Sequence, residues 1–247
     1  MKLKTISTLC FAASTMLLAS SAMAWESEDG QHSTSASVAL SSDYVWRGYS
    51  QTDEEAAISG SFDYAHSSGF YAGTWASNID FDTTVNGDVD AGAEVDIYAG
   101  FGGAFGESGI AYDLGVLRYI YPGDAGLDWN EVYGSLSYSF FSIGVAHSGN
   151  VYNSGEKGTY YSAGFDYDLP YDISLSAGVG LYDYDDAVST ENHTDYRIGL
   201  SKAAAGFDFN ATYYVMDSDG KDAYSTDNGW NNDLGDGRLV FTISKSM

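Results

Sequence analysis

Apolar side chains recur at every second position through most of the chain after its first 33 residues. A period of two is that of a β-strand with two different faces, whereas a helix would repeat about every 3.6 residues. In segment 90–105, for example, Val95 and Ile97 fall on one face, and Glu94 and Asp96 fall on the other. The pattern predicts an all-β chain, because no segment after the first 24 residues carries a helical stripe.

The alternating runs number twelve, and the connections between them are alternately short and long. The runs cover 34–48, 54–66, 69–81, 90–105, 109–120, 131–140, 142–148, 158–168, 172–183, 194–202, 206–216 and 237–246. The long, polar connections cover 49–55, 80–90, 121–128, 148–158, 183–193 and 217–237. Short turns at one end and long loops at the other are typical of bacterial outer-membrane barrels. The sequence therefore predicts an antiparallel up-and-down transmembrane β-barrel of about 12 strands, with short periplasmic turns and long extracellular loops.

A soluble barrel also alternates, with its apolar face turned inward, so periodicity alone does not separate the two classes. Aromatic side chains in the apolar phase cluster near both strand ends, as membrane interfaces select, and this favours the membrane barrel. The expected belts consist of Tyr44, Trp46 and Phe81 near the long loops, and Tyr64, Phe105, Tyr112, Phe140 and Tyr167 near the short turns.

The N-terminus has the composition of a secretory signal peptide. Lys2 and Lys4 precede an apolar stretch over 6–18, and Ala22 and Ala24 flank Met23 as a small-x-small cleavage signal. We expect residues 1–24 to be removed, 25–33 to form a short periplasmic segment and 34–247 to form a barrel in the cell outer membrane. The only cysteine is removed with the signal, so the rest of the chain has no thiol chemistry.

The charge balance excludes a nucleic-acid partner, because 35 acidic side chains face only 10 lysines and arginines. No cofactor or metal site is expected, since the four histidines are scattered along the chain. His147 and Ser148 invite comparison with outer-membrane lipases, but no acidic partner can be placed beside them. The sequence therefore predicts a protein that is not an enzyme.

The polar phase of the strands predicts the lining of the lumen. Twelve charged side chains fall in it: Asp43, Arg47, Asp63, Glu94, Asp96, Asp113, Glu131, Asp166, Asp195, Arg197, Asp208 and Arg238. Strand order brings Arg238 near Arg47 at the long-loop end, where the arginines and carboxylates form either a structural ion-pair lattice or a conducting constriction. Arg118 falls in the apolar phase, which requires either a bulge near Leu117 or an arginine that reaches the outer interface.

Several motifs resemble those of a known family. Segments 43–52 (DYVWRGYSQT) and 69–78 (GFYAGTWASN), followed by 112–115, 121–123 and 131–133, resemble the proteobacterial TorF-like family of outer-membrane porins. The resemblance covers essentially the whole chain after the signal and implies an outer-membrane barrel. The last strand alternates as expected for the C-terminal signal that the barrel-assembly machinery recognises. Met247 stands where that signal usually has an aromatic residue.

These observations predict an outer-membrane channel for passive diffusion of small polar solutes or ions. Nine carboxylates against three arginines in the lumen predict a preference for cations. The expected partners are outer-membrane lipid, the barrel-assembly machinery, and small polar solutes or cations. A non-conducting structural or adhesion-type barrel is the alternative, and a lipid-modifying enzyme is a third.

Overall fold

A computed structural model of the chain describes residues 25–81, 91–185, 192–230 and 232–247. Twelve long strands form its wall, and we number them β1 to β12. They are β1 His32–Ser41, β2 Ala57–His66, β3 Phe70–Asn78, β4 Ala93–Ala104, β5 Ile110–Ile120, β6 Trp129–Tyr138, β7 Phe141–Ser148, β8 Gly158–Leu169, β9 Ile173–Tyr184, β10 His193–Ala204, β11 Phe207–Met216 and β12 Arg238–Ser246. The predicted signal peptide and most of the predicted loops 80–90 and 183–193 lie outside the described residues.

The wall is a closed antiparallel barrel. Each strand pairs with the next along the chain, and β12 closes the sheet against β1 through pairs such as Thr242 with Ser41. Closure leaves none of the twelve wall strands with an unpaired edge, which a lipid environment requires because it offers no hydrogen bonds to the backbone. The predicted fold is confirmed, and most strand bounds agree within three residues. The first strand is the exception, because it ends at Ser41 and not at residue 48.

The outer face of the barrel is apolar and uncovered. Large side chains on alternate positions point outward and are more than half exposed, including Ile58, Phe62, Leu114, Ile143 and Phe241. A soluble barrel would turn this face inward, whereas a membrane barrel offers it to lipid. The soluble alternative is therefore wrong, and the protein is an outer-membrane barrel.

Tight turns join the strands at one end. The connection from β10 to β11 is only Ala205 and Gly206, and both have positive φ, at 54° and 78°. Two consecutive positive φ values are those of the type I′ turn, whose twist matches that of paired strands. Because of this geometry, two residues are enough to connect β10 to β11 at the short-turn end.

All helical elements among the described residues lie at the long-loop end. A six-residue helix, α1 Ser218–Ala223, follows Asp217, whose carboxylate accepts a hydrogen bond from the Gly220 amide at 3.0 Å. The sequence predicted no helix here, since fewer than two helical turns are too short to show a periodic stripe. Short 3₁₀ turns occupy Ala125–Leu127, Val151–Asn153 and Thr226–Asn228. No helix in the described part of the chain is long and apolar enough to cross a membrane.

Arg118 lies on the outer face, in an uninterrupted ladder. Arg118 is on β5, where it pairs with Ile97 of β4 on one side and with Asn130 of β6 on the other. Neither ladder contains a bulge at this position. The Arg118 guanidinium binds Asp128 at 2.9 Å and Asn130 at 3.2 Å, toward the long-loop end. The bulge alternative is therefore wrong, and the arginine reaches the outer interface.

Candidate functional site

The connection between β1 and β2, residues 42–56, folds back into the barrel, and we call it the inner segment. Its residues 43–52 are all buried, and Trp46 is 2% exposed. The sequence placed Asp43 and Arg47 on a long first strand, and this prediction is wrong. It also placed 49–55 in an external loop, which is wrong for 49–52, whereas Glu54 and Glu55 are exposed. Strand periodicity continues through residue 46, but the chain turns inward after Ser41.

A small hairpin shapes the inner segment. Val45–Trp46 pairs with Tyr49–Ser50, and Arg47 and Gly48 form the turn with φ values of 45° and 100°. A side chain at Gly48 would place its Cβ 2.7 Å from both the Asp195 Cβ and the Met216 Cγ. Glycine is therefore required at this position by its φ and by its close approach to the barrel wall.

Polar contacts fix the base of the inner segment. The Asp43 carboxylate accepts hydrogen bonds from the Ser50 hydroxyl at 2.6 Å and the Thr52 hydroxyl at 2.9 Å. Arg238 of β12 donates to Asp43 at 2.9 Å and pairs with Glu54 at 2.9 Å. The sequence predicted that Arg238 lies near Arg47, but Arg238 pairs with Asp43 and Glu54 of the inner segment, whereas Arg47 pairs with Glu131.

Arg47 fixes the tip of the inner segment to the barrel wall. Its Nη2 donates to both Glu131 carboxylate oxygens, at 2.7 and 2.8 Å, four strands away from β2. The guanidinium carbon also lies 4.3 to 4.6 Å from the ring centres of Trp46, Tyr160 and Tyr182. Both charges are buried, so the pairing and the ring faces compensate for their lost hydration.

Trp46 is at the centre of a set of rings that fills the long-loop half of the lumen, which we call the aromatic cluster. Ring centres of five residues lie 5.8 to 6.3 Å from that of Trp46: Tyr49, Tyr119, Trp129, Tyr152 and Tyr182. Tyr119 stacks on Trp129 at 4.3 Å, and Tyr49 stacks on Tyr224 at 3.8 Å. The cluster closes this end of the lumen.

Loop tyrosines complete the aromatic cluster. The Tyr49 and Tyr152 hydroxyls lie 2.5 Å apart, and Tyr224 belongs to the loop after α1. Burial raises the pKa of the Tyr152 and Tyr224 hydroxyls well above the ordinary value of tyrosine. Both side chains therefore stay neutral at physiological pH.

Tyrosine hydroxyls donate hydrogen bonds to most of the lumen carboxylates. Five such pairs join the inner segment to the wall, two adjacent strands, or two strands separated by one other: Tyr44 with Glu94, Tyr71 with Asp113, Tyr98 with Asp63, Tyr119 with Glu131 and Tyr160 with Asp195. A neutral donor holds a carboxylate in place without cancelling its charge. The lumen lattice is thus built largely from tyrosine and acid, not only from arginine and acid.

Exposure of the lumen wall increases from the long-loop end to the short-turn end. On β6, Trp129 and Glu131 are buried, whereas Ser135 and Ser137, further along the same inner face, are partly exposed. Asp166 of β8 is likewise partly exposed. The short-turn half of the lumen is therefore polar and accessible to solvent.

The structure brings the predicted lumen charges to the barrel interior, but in two different environments. Six are buried in the long-loop half, namely Asp43, Arg47, Glu94, Asp96, Glu131 and Asp195. Asp113 is buried near the middle of the barrel. The other five are partly exposed, namely Asp63, Asp166, Arg197, Asp208 and Arg238.

The predicted long-loop aromatic belt is wrong. Tyr44 and Trp46 belong to the aromatic cluster inside the barrel, and Phe81 packs against it. The lumen tyrosines were missed because the predicted lining included only charged side chains. Strand parity could have found them, since Tyr98 has the same phase as Glu94 and Asp96.

The histidines offer no clear chemistry. His147 faces outward and its Nδ1 lies 2.9 Å from the Thr159 hydroxyl, while Ser148 faces the buried interior. Adjacent strand residues point to opposite faces, so this pair does not form a nucleophile and its base. Within the described ranges, no group of three or more His, Cys, Asp or Glu residues could hold a metal ion.

Several solved structures share the fold. The KdgM porin has a TM-score of 0.53 and 7% identity, covering 86% of this chain and 97% of that chain. The KdgM porin in complex with disordered oligogalacturonate gives 0.53 and 7%, covering 87% and 99%. An outer-membrane channel from Pseudomonas putida F1 gives 0.47 and 9%, covering 86% and 94%.

At 7% identity, the likeness to the KdgM porin concerns the fold alone, and no curated protein matches the chain. The TorF-like resemblance stays an interpretation of the sequence motifs. A family model covers nearly the whole barrel and its short N-terminal segment. The chain belongs to the family described as "bacterial protein of unknown function (Gcw_chp)", whose model matches residues 26–247.

Proposed function

We propose that the protein is a narrow outer-membrane channel for passive diffusion of small polar solutes or ions, with a preference for cations. The observation that carries this proposal is a closed barrel with a lipid-facing exterior and a polar, solvent-accessible short-turn half of the lumen. The likeness of its fold to porin structures agrees with this role.

Cation preference follows from the lumen charges. Nine carboxylates and three arginines face the interior, and two of the arginines are already paired with Glu131 and Asp43. The tyrosine donors carry no positive charge, and carboxylates along a pore attract cations. The acidic long loops, with 20 acids and 2 bases by the predicted bounds, add to the negative field at the entrance.

The inner segment determines how far the channel is open. With Trp46 among the aromatic cluster, the long-loop half is closed, so solutes pass only when the segment moves or around its margin. This closure also favours the second candidate, a non-conducting structural or adhesion-type barrel. The two candidates differ in one measurable property, which is conductance.

Planar-bilayer recordings separate them. The unaltered protein is compared with a variant in which residues 44–52 are replaced by a short glycine-serine linker, and with a control in which the exposed residues 226–228 are replaced in the same way. We expect small, cation-preferring conductance from the unaltered protein, a several-fold increase in the first variant and no change in the control. Absence of conductance in the unaltered protein together with large conductance in the first variant would assign the non-conducting role.

A further inference from the structure

Two adjoining hollows lie on the outer wall of the barrel at its long-loop end, outside the lumen. One is an apolar groove of about 860 Å³ along β3 to β7, and the other is a polar pocket of about 400 Å³ between the ends of β5 to β7 and the following loops. Arg118, Asn130 and Gly149 line both hollows. They therefore form one continuous site with an apolar part and a polar part.

The apolar part is a depression in the lipid-facing surface. Ala99, Val116, Val132 and His147 lie side by side on neighbouring strands, as the pairing register requires, and their side chains face outward. Ala99 is small where neighbouring outward positions carry Ile97 and Phe101. The groove therefore lies in contact with the hydrocarbon layer and takes a flexible apolar chain.

The polar part begins where the apolar wall ends. Asn130 and Asn150 line it together with Arg118, Asp128 and Ser148. The Arg118 side chain is 46% exposed, although its guanidinium pairs with Asp128 at 2.9 Å. Its position is set by Asp128 and Asn130, so a basic, hydrogen-bonding surface is held at the boundary of the apolar groove.

We infer that this two-part hollow is a binding site for a single membrane lipid, with its acyl chain in the apolar groove and its anionic phosphate headgroup at Arg118. Arginine binds phosphate through paired N–H donors, and the amides of Asn130 and Asn150 can serve hydroxyl groups of the head. Lipid covers the whole surface of the barrel that faces the bilayer. This hollow differs from the rest of that surface because it contacts both the acyl chain and the headgroup of the same lipid.

Charge complementarity supports this occupant over a second copy of the chain. Arg118 is the only outward-facing base at the long-loop ends of the twelve described strands, whereas Lys202 and Lys245 lie toward the short turns. Of the two loops that line the hollow, 121–128 carries two acids and 149–157 carries one acid and one base. Arg118 is more exposed than its partner Asp128, at 46% against 15%, so the arginine is the charge presented to an anionic headgroup. A second copy would bring further acidic loops to the same place.

Native mass spectrometry of detergent-purified protein tests this inference, with added phosphatidylglycerol or phosphatidylcholine as the probe lipid. We expect one retained phosphatidylglycerol molecule per barrel and weaker retention of phosphatidylcholine. Arg118→Ala should weaken phosphatidylglycerol binding about fivefold, whereas Lys202→Ala, an outward base at the other end, should leave it unchanged. The readout does not depend on conductance, so it is independent of the proposed channel function.

A second pair of variants tests the apolar part. Ala99→Phe should fill the groove and abolish retention of both lipids, whereas Ala177→Phe, another outward-facing alanine on β9, should have no effect. Equal binding by Arg118→Ala and Lys202→Ala, or by the two phenylalanine variants, would overturn the inference. A dimer of the unaltered protein that these groove variants dissociate would also overturn it, because the hollow would then be an interface between copies.

Discussion

Arg47 and Glu131 connect the tip of the inner segment to β6 by a buried ion pair, with Nη2 2.7 Å from Oε1. The side chains are 1% and 2% exposed. The pair joins a segment that leaves the wall between β1 and β2 to a strand four positions further around the barrel. It is therefore the contact that best explains why the inner segment stays in the lumen.

Removal of one partner of this pair should destabilise the folded barrel. Arg47→Met leaves Glu131 buried without its counter-charge, and we expect a loss of about 3 to 5 kcal/mol in the free energy of unfolding, measured by urea denaturation in detergent. The double variant Arg47→Met with Glu131→Met should recover much of that loss, because neither charge is then buried alone. Arg118→Ala, which breaks an exposed pair, serves as the control and should cost less than about 1 kcal/mol. Equal effects of Arg47→Met and Arg118→Ala would contradict this assignment.

Gly48 should tolerate no side chain. Gly48→Ala would bring its Cβ within 2.7 Å of the wall in a backbone conformation that disfavours L-residues, so we expect a loss of about 2 kcal/mol in the same urea assay. Gly149→Ala is the matched control, since nothing lies within 4 Å of a Cβ there. A stable Gly48→Ala barrel would show that the inner segment does not pack against Asp195 and Met216 as described.

Ion selectivity should depend on the lumen arginines. Arg238→Ala removes a positive charge near Asp43 and Glu54, so we expect a stronger cation preference, measured as the reversal potential across a salt gradient. The preference should weaken from 0.1 M to 1 M salt, because the Debye length falls from about 10 Å to about 3 Å. Lys202→Ala, on the outer face, should change neither value. Anion selectivity of the unaltered channel would refute the proposed cation preference.

The long loops should be accessible from outside the cell. Residues 226–228, in the connection between β11 and β12, are exposed. We therefore expect proteinase K to cleave within 217–236 on intact cells, and mass spectrometry of the fragments would locate the cut. Cleavage only after permeabilisation of the outer membrane would reverse the proposed orientation.

The exported protein should begin at Trp25. Cleavage after Ala24 would remove Lys2 and Lys4 and leave 35 acids with 8 bases. Intact-mass measurement of protein purified from outer membranes tests this directly, and Ala22→Arg with Ala24→Arg should block processing. An unprocessed N-terminus in the membrane fraction would contradict the signal-peptide proposal.

The sequence by itself determined the barrel. Alternation along each strand, as in Glu94 to Phe101, specifies a two-faced sheet, and a slip of one residue would exchange the lipid face with the lumen face. Loop lengths then fixed the order of the strands and the two ends of the barrel. Both signals, the alternation within a strand and the length of a loop, are local, so each can be recognised from a short stretch of sequence.

The inner segment was decided only by tertiary structure. Residues 43–46 continue the strand alternation, so nothing in the local pattern shows that Tyr44 and Trp46 turn into the lumen. Their position depends on partners far along the chain, since Trp46 packs among Tyr119, Trp129 and Tyr182, and Arg47 pairs with Glu131. Periodicity reports which face a side chain is on, but only the closed barrel brings these distant side chains to one place.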